Sequence, residues 1–558
     1  MRRKRVIALA VAAVVLTAAV LLLRDPAPSS PAARLAQEER QEFATNDPVQ
    51  RGCALGKKLL RRVYLGTYPG RSEDILYVPQ YPNYQGTFNV PNHSGPWDYL
   101  QIVPLVLYGP GVIEAQGEPL DLPASVADVY ATAGSLTRVQ LPARRSDVLR
   151  DALVDGERPP KMIVTIVWDG VGRNVLERWP DRWPTLARME RDGTSYLRAT
   201  VGSSPSITPA THSTLGTGAF PVEHGVTGIT LRGRNGELRE AFAKRRPFDL
   251  RLTTFADEID RALANEPLVG MIAWRSWHMG MLGLGAALEG GDHDLLGIVS
   301  HNEFITGKDE FYRTPDFLKP YRGLDERMDE LDRADGEADG LWMGHDIREM
   351  HDNPAWVSYL TDVILATWEA EGFGADDVPD LFFTNYKMSD IVGHQYTMDS
   401  EEMGVVLEAQ DRALRRLVRW LDRNVGDYVV IVTSDHGHTP DPRRSGAWPI
   451  AKGKLADHIN RELAGGDEVV AGITAVGIYV DEDVMDAHDL DHDDIARFVN
   501  DYTLAQNWGE EELPPGYEGR AEERLFSAAF PTASMDEVIE CAFGDAAGDL
   551  ALPRPPSP

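Results

Sequence analysis

"KMIVTIVWDG", Lys161 to Gly170, holds one interior polar residue, Thr165, before the run closes on Asp169. A strand with one wet face alternates apolar and polar residues, so a nearly continuous apolar run predicts a strand covered on both faces. The form recurs in "DLFFTNYKMSD", Asp380 to Asp390, and "DYVVIVTSDHGH", Asp427 to His438. Between them "EEMGVVLEAQDRALRRLVRWLDRNV" repeats its apolar residues at helical spacing. The expectation is an α/β fold with a mostly parallel central sheet clad in helices, with ligands at the C-terminal strand ends.

The 558 residues are 43% hydrophobic and 26% charged, as in a folded globular protein with a large core. Eighty-seven acidic residues against 56 basic ones give a net charge of −31. Such a field repels a nucleic-acid duplex, although bound metal can still draw in a single phosphate group.

MRRKR precedes an uncharged run from Val6 to Leu23. As a helix this run is about 27 Å long, near the thickness of a bilayer core, with the basic cluster on the cytoplasmic side. The expectation is a single-pass signal anchor, or a cleaved signal peptide, over 1–24, a body outside the cytoplasm, and membrane attachment through this helix. Residues 25–50 read as a linker, 116–160 as a second linker rich in Arg, Asp and Pro, and 547–558 as a disordered tail. The polar, acidic stretch 232–353 reads as a cap inserted over the site.

Polar clusters fall at the predicted strand ends: Asp169; Asp390 with His394; Asp435 with His436. A fourth, hydroxyl-rich cluster runs from Ser203 to Gly228. Singly, each reads as a helix cap or a turn. Together, mixed Asp/His donors suit zinc, and two such sites can clamp a phosphoryl group.

The ordered set "WDG", "TPATHSTLGTGAFPVEHGV", "NYKMSDIVGH" and "TSDHG" resembles the alkaline phosphatase superfamily, especially its type I phosphodiesterase/nucleotide pyrophosphatase branch. The resemblance covers about Lys161–Gly228 and Pro379–Thr439. It implies a three-layer sandwich with an inserted cap, the core being 161–231 and 354–546. It also implies two divalent cations, zinc foremost, one held by Asp169, Asp435 and His436 and the other by Asp390 and His394. Thr208, four residues before His212 as in the family, would be the nucleophile; Ser206, Thr211, Ser213 and Thr214 compete for that role.

Family members carry a further histidine late in the chain, in a segment with no counterpart after Thr439 here. "GRSEDILYVPQYPNYQGTFNVPNHSGPWDYLQIVPLVLYGPG", from Gly70, resembles that segment in order and spacing. The resemblance implies a circular permutation, with 51–115 a displaced piece of the core and His93 the missing ligand. Cys53 and Cys541 would then meet at the ancestral joint and form a disulfide.

One departure concerns the substrate. Where diesterase relatives place an asparagine after "HGI", this chain has Ile229. Thr230, Arg232 and Asn385 are candidate replacements; Asn385 and Lys387 are taken as substrate contacts, and Arg275 and His278 as more distant candidates. The expected activity is hydrolysis of a phosphate ester or nucleotide-type substrate through a phosphothreonine. The alternatives are an inactive metal-stabilised binding module, a sulfatase (disfavoured by the absence of the C/S-x-P-x-R arginine), and a phosphoethanolamine transferase.

Overall fold

The computed structural model describes residues 45–544 except 155, 157, 301–302, 306–309, 320, 349–352 and 510–511. Its main sheet is built from β1 (Leu105–Tyr108), β2 (Leu120–Ser125), β3 (Met162–Trp168), β4 (Thr194–Thr200), β5 (Val269–Ala273), β6 (Asp294–Ser300), β7 (Glu303–Ile305), β8 (Asp380–Tyr386) and β9 (Tyr428–Thr433). They lie in the order β7-β6-β5-β8-β3-β9-β1-β4-β2, with the short Tyr312–Arg313 strand also against β6. From β6 through β9 the neighbours run parallel, whereas β1 is antiparallel to both β9 and β4.

The continuous apolar runs are buried on both faces, as expected. Successive side chains of a strand point to opposite faces. Met162, Val164, Ile166 and Trp168 of β3 therefore enter one core, with helices Pro354–Glu371 and Glu401–Asn424. Ile163 and Val167 enter the other, with helices Asp128–Thr137 and Phe255–Ala262. This is the three-layer, alkaline-phosphatase-like sandwich. Each fully buried aliphatic side chain stabilises it by about 1.5–3 kcal/mol, so a charge at Ile166 would disrupt the layer beneath the site.

A smaller four-stranded sheet has the order Val470–Ile473, Gly477–Val480, Ile75–Pro79, Phe526–Pro531. Ile75–Pro79 is antiparallel to both of its neighbours. The front of the chain thus supplies an interior strand to each sheet. At the chain ends helix Pro48–Cys53 packs on helix Met535–Phe543, and a disulfide joins Cys53 to Cys541 with their Cα atoms 5.6 Å apart.

Three expectations are corrected. Residues 116–160 are not only a linker: Leu120–Ser125 is the sheet edge, and helix Asp128–Thr137 buries Val129, Tyr130 and Ala133. The 232–353 stretch is not wholly a cap, because β5 and β6 pair into the main sheet; these short apolar runs are masked by the acidic text around them. The single-pass membrane anchor is not supported: no helix among the described residues is long and apolar enough to cross a membrane. The long helix Glu401–Asn424, for instance, keeps a charged face. The 1–24 segment and the 547–558 tail themselves lie outside the described residues.

Candidate metal centre and nucleophile

The parallel register aligns Asn385 with Val167, Tyr386 with Trp168 and Thr433 with Val167, so β8, β3 and β9 end level. Just beyond those ends stand Asp169, Lys387, Asp435 and His436, all buried. Helix α1 (Thr208–Thr217) begins with Thr208, and helix α2 (Met388–Tyr396) carries Asp390 in its first turn and His394 one turn on. Gly170 makes the turn after β3 at φ +73°, and a Cβ there would come within 2.8 Å of His438 Cδ2.

Asp390 is the hub of one cluster. Its Oδ1 lies 3.1 Å from His93 Nε2, 3.4 Å from His394 Nε2 and 3.2 Å from His438 Nε2. In the other, His436 Nε2 is 3.5 Å from Asp169 Oδ1 and 3.4 Å from Asp435 Oδ2. The clusters touch: His93 and His436 stack with ring centroids 3.4 Å apart, and His436 Nε2 is 3.8 Å from Asp390 Oδ1.

The outer nitrogens of these rings meet backbone carbonyls: His93 with Ser206, His394 with Pro91, and His436 with Gly437. A carbonyl only accepts, so Nδ1–H donates and the Nε2 lone pair turns toward the carboxylates, the second-shell arrangement of a histidine ligand. Burial, reinforced by His436, pushes the His93 pKa well below its ordinary value and keeps the ring a neutral donor. Asp435 Oδ2 and His436 Nε2 are buried without a hydrogen-bond partner. Lone pairs converging on carboxylates, with orphaned acceptors among them, suit divalent cations with Asp/His ligation.

The nucleophile candidate is beside them. Lys387 Nζ donates to Asp169 Oδ1 at 2.9 Å and to Thr208 Oγ1 at 3.1 Å, and pairs with Asp390 Oδ2 at 2.8 Å. Burial works against this ammonium, but Asp169, Asp390 and Asp435 outweigh it and hold its pKa above the ordinary lysine value. Thr208 Oγ1 thus stands next to a fixed positive charge at the first residue of a ten-residue helix. Of its competitors, Ser213 Oγ donates to Pro209 O at 2.7 Å and Thr214 Oγ1 to Ala210 O at 3.1 Å; both are engaged within the helix.

A cavity of about 420 Å³ opens onto Thr208, Lys387, His93 and His394, with Ile229 and Trp277 on its wall. Asn385 does not face it. Its Nδ2 donates to Asp169 Oδ2 at 2.9 Å and to His212 Nε2 at 3.1 Å, which corrects its reading as a substrate contact: the amide orients a candidate ligand. Arg232 forms a bidentate pair with Asp74, His278 is buried against His212, and Arg275 is exposed beside Trp277. His438, two residues beyond His436, reads from the sequence as either a partner of the ligands or an exposed group; it is fully buried, with its Nε2 3.2 Å from Asp390 Oδ1. His212, read only as the histidine four residues after Thr208, donates from Nδ1 to Thr208 O at 2.7 Å. A signal for His438 lay in "VGH": a Cβ at Gly393 would come within 2.3 Å of its Nε2.

A hydroxyl and two abutting Asp/His clusters thus gather at the C-terminal ends of a parallel sheet. The chain belongs to the type I phosphodiesterase / nucleotide pyrophosphatase family, whose pattern matches residues 163–517. It is 26% identical over 143 residues to alkaline phosphatase PafA of Elizabethkingia meningoseptica, spanning 24% of this chain and 26% of that protein. It is 28% identical over 100 residues to alkaline phosphatase PhoD of Zymomonas mobilis, spanning 18% and 17%. The matches thus span about a quarter or less of these relatives. The crystal structure of wild-type PafA aligns with a TM-score of 0.47 at 17% identity, over 67% of this chain and 84% of that one. Murine ectonucleotide pyrophosphatase / phosphodiesterase 5, in complex with AMP, aligns with a TM-score of 0.30 at 17% identity, over 49% and 56%.

Proposed function

We propose that the protein hydrolyses phosphoric esters at two divalent cations, zinc foremost, through a phosphothreonine formed on Thr208. Asp169, Asp435 and His436 would hold one cation and His93, Asp390 and His394 the other, with His438 orienting Asp390. When bound, the cations would acidify the attacking hydroxyl and water and stabilise the departing oxygen.

The observation that carries the reading is Lys387 Nζ, 3.1 Å from Thr208 Oγ1 and in contact with a carboxylate of each cluster. Thr208 Oγ1 attacks phosphorus, the bond from phosphorus to the leaving oxygen breaks, and the alcohol departs. Water then attacks the phosphothreonine, releasing phosphate or a monoester and restoring the threonine hydroxyl. Lys387 holds Oγ1 and offers its ammonium to the phosphoryl oxygen that an asparagine serves in diesterase relatives. His212, bonded to the Thr208 carbonyl and to Asn385, keeps the start of α1 in step with Asp169.

The substrate reading is a diester or nucleotide-type ester ahead of a monoester. It rests on Ile229 and Trp277, an apolar and aromatic wall that suits the organic group of an ester. Circular rearrangement of the front segment belongs to the same reading. It is supported by the interior position of Ile75–Pro79, by the reach of His93 to Asp390, and by the bond between Cys53 and Cys541.

The test is hydrolysis of aryl phosphate monoesters and diesters by zinc-loaded protein, by chelated protein and by Thr208→Ala. Turnover confined to the loaded wild type is expected. Equal background rates in all three, with metal bound to the loaded wild type and to Thr208→Ala, would favour the inactive binding module.

A further inference from the structure

At the opposite edge of the main sheet, where the parallel strands begin, a second group of carboxylates gathers. Asp260 lies in the last turn of helix Phe255–Ala262, Asp292 in the loop after Gly290-Gly291, and Asp294 at the first position of β6. Each offers an oxygen, and these oxygens all lie within 4.8 Å of one another. Asp260 is 5% exposed and Asp294 7%, while Asp292 is open to solvent.

Like charges at this spacing repel unless something neutralises them, and among the described residues the nearby arginines pair with other carboxylates. Arg261 pairs with Glu258 at 2.6 Å, and Arg313, which acts on Asp294, pairs with Glu371 at 2.7 Å. Asp257, also close, is satisfied by Thr254 N, Leu284 N and Gly285 N. Asp260 differs: its buried Oδ1 has no hydrogen-bond partner, and an oxygen of its carboxylate converges with Asp292 and Asp294. Asn265 Nδ2 holds the same loop through Gly290 O at 3.1 Å, and its buried Oδ1 is also unpartnered.

We propose that Asp260, Asp292 and Asp294 form a site for a hard divalent cation of the calcium class, separate from the catalytic centre. The donors are oxygen without a histidine, and one side is open for water, which suits a cation taking six to eight oxygens and not zinc.

The site would brace the Gly283–Asp294 stretch. Just before it, helix Met279–Leu282 lies against α1 so closely that a Cβ at Gly216 would come within 2.1 Å of Gly280 O. The cation would thus support the helix that presents Thr208 from behind, without touching substrate.

The test uses full-length protein saturated with zinc, then exposed to calcium or terbium. Expected are one calcium per chain by elemental analysis, terbium emission sensitised by buried aromatics such as Tyr312 and displaced by calcium, and a rise of a few degrees in Tm. Asp292→Ala, at an exposed position, should lose all three while keeping its aryl-ester kcat at low temperature; Asp260→Asn should weaken binding as well. Absence of calcium and of a Tm shift in the wild type would overturn the site. So would binding unchanged in both variants, or zinc retained there in place of calcium. These readouts do not use catalysis, so failure of the hydrolase reading leaves them interpretable.

Discussion

The two edges of the central sheet solve the same electrostatic problem differently. At the C-terminal edge three buried carboxylates meet imidazoles and one ammonium, with Lys387 touching Asp169, Asp390 and Thr208. At the N-terminal edge three carboxylates meet with no such partner among the described residues. Mixed nitrogen and oxygen donors around a hydroxyl favour a borderline cation that can activate it, whereas oxygen donors alone favour a hard cation that only ties chain segments together. On the proposed reading, the difference separates chemistry from support within one sheet.

The largest expected effect falls on the chemical edge. Thr208→Ala should lower kcat by roughly 1000-fold or more with metal content unchanged, since it removes a group acting in the transition state; near-normal turnover would move the nucleophile elsewhere. Lys387→Met should lower kcat/KM by about 100-fold, the order seen on removing one fixed donor to a developing anion. Retained activity there would leave the lysine a structural counter-charge only.

His93→Ala should lose one metal equivalent and His438→Ala should weaken metal binding by about 10- to 100-fold, a second-shell effect. If elemental analysis finds both centres full in His93→Ala, the front segment is not part of the site. None of these variants should alter the calcium response of the far edge; a coupled loss would merge the two sites into one. The smallest functional effect is expected at the chain ends. Cys53→Ser should cost roughly 2–4 kcal/mol in denaturant unfolding while kcat stays the same, and a fall in kcat with it would tie the joint to the centre.

Much of the chemical edge was legible because its residues stand at the ends of continuous apolar runs. A strand buried on both faces announces itself, and the polar residue that stops it marks the sheet edge where ligands gather; Asp169, Asp390 and Asp435 were found in this way. His438 was ambiguous: two residues past His436, it reads equally as a surface group or a buried one until the opposing Gly393 is placed against it. Asn385 was misread because strand position does not say which face an amide turns to, and here it turns to Asp169. The far edge was not read at all. Asp260, Asp292 and Asp294 come from a helix end, a loop and the start of a strand within acidic text, where isolated carboxylates are common and nothing local distinguishes a converging set.

The sequence alone determined the layered α/β class and the strand-end carboxylates, because burial on both faces leaves a pattern within a few consecutive residues. Only the tertiary structure decided that Leu120–Ser125, β5 and β6 complete the sheet, that Lys387 touches Thr208, and that the acidic residues of the far edge meet. Those outcomes depend on contacts between distant segments, and local periodicity carries no record of which distant segment will arrive.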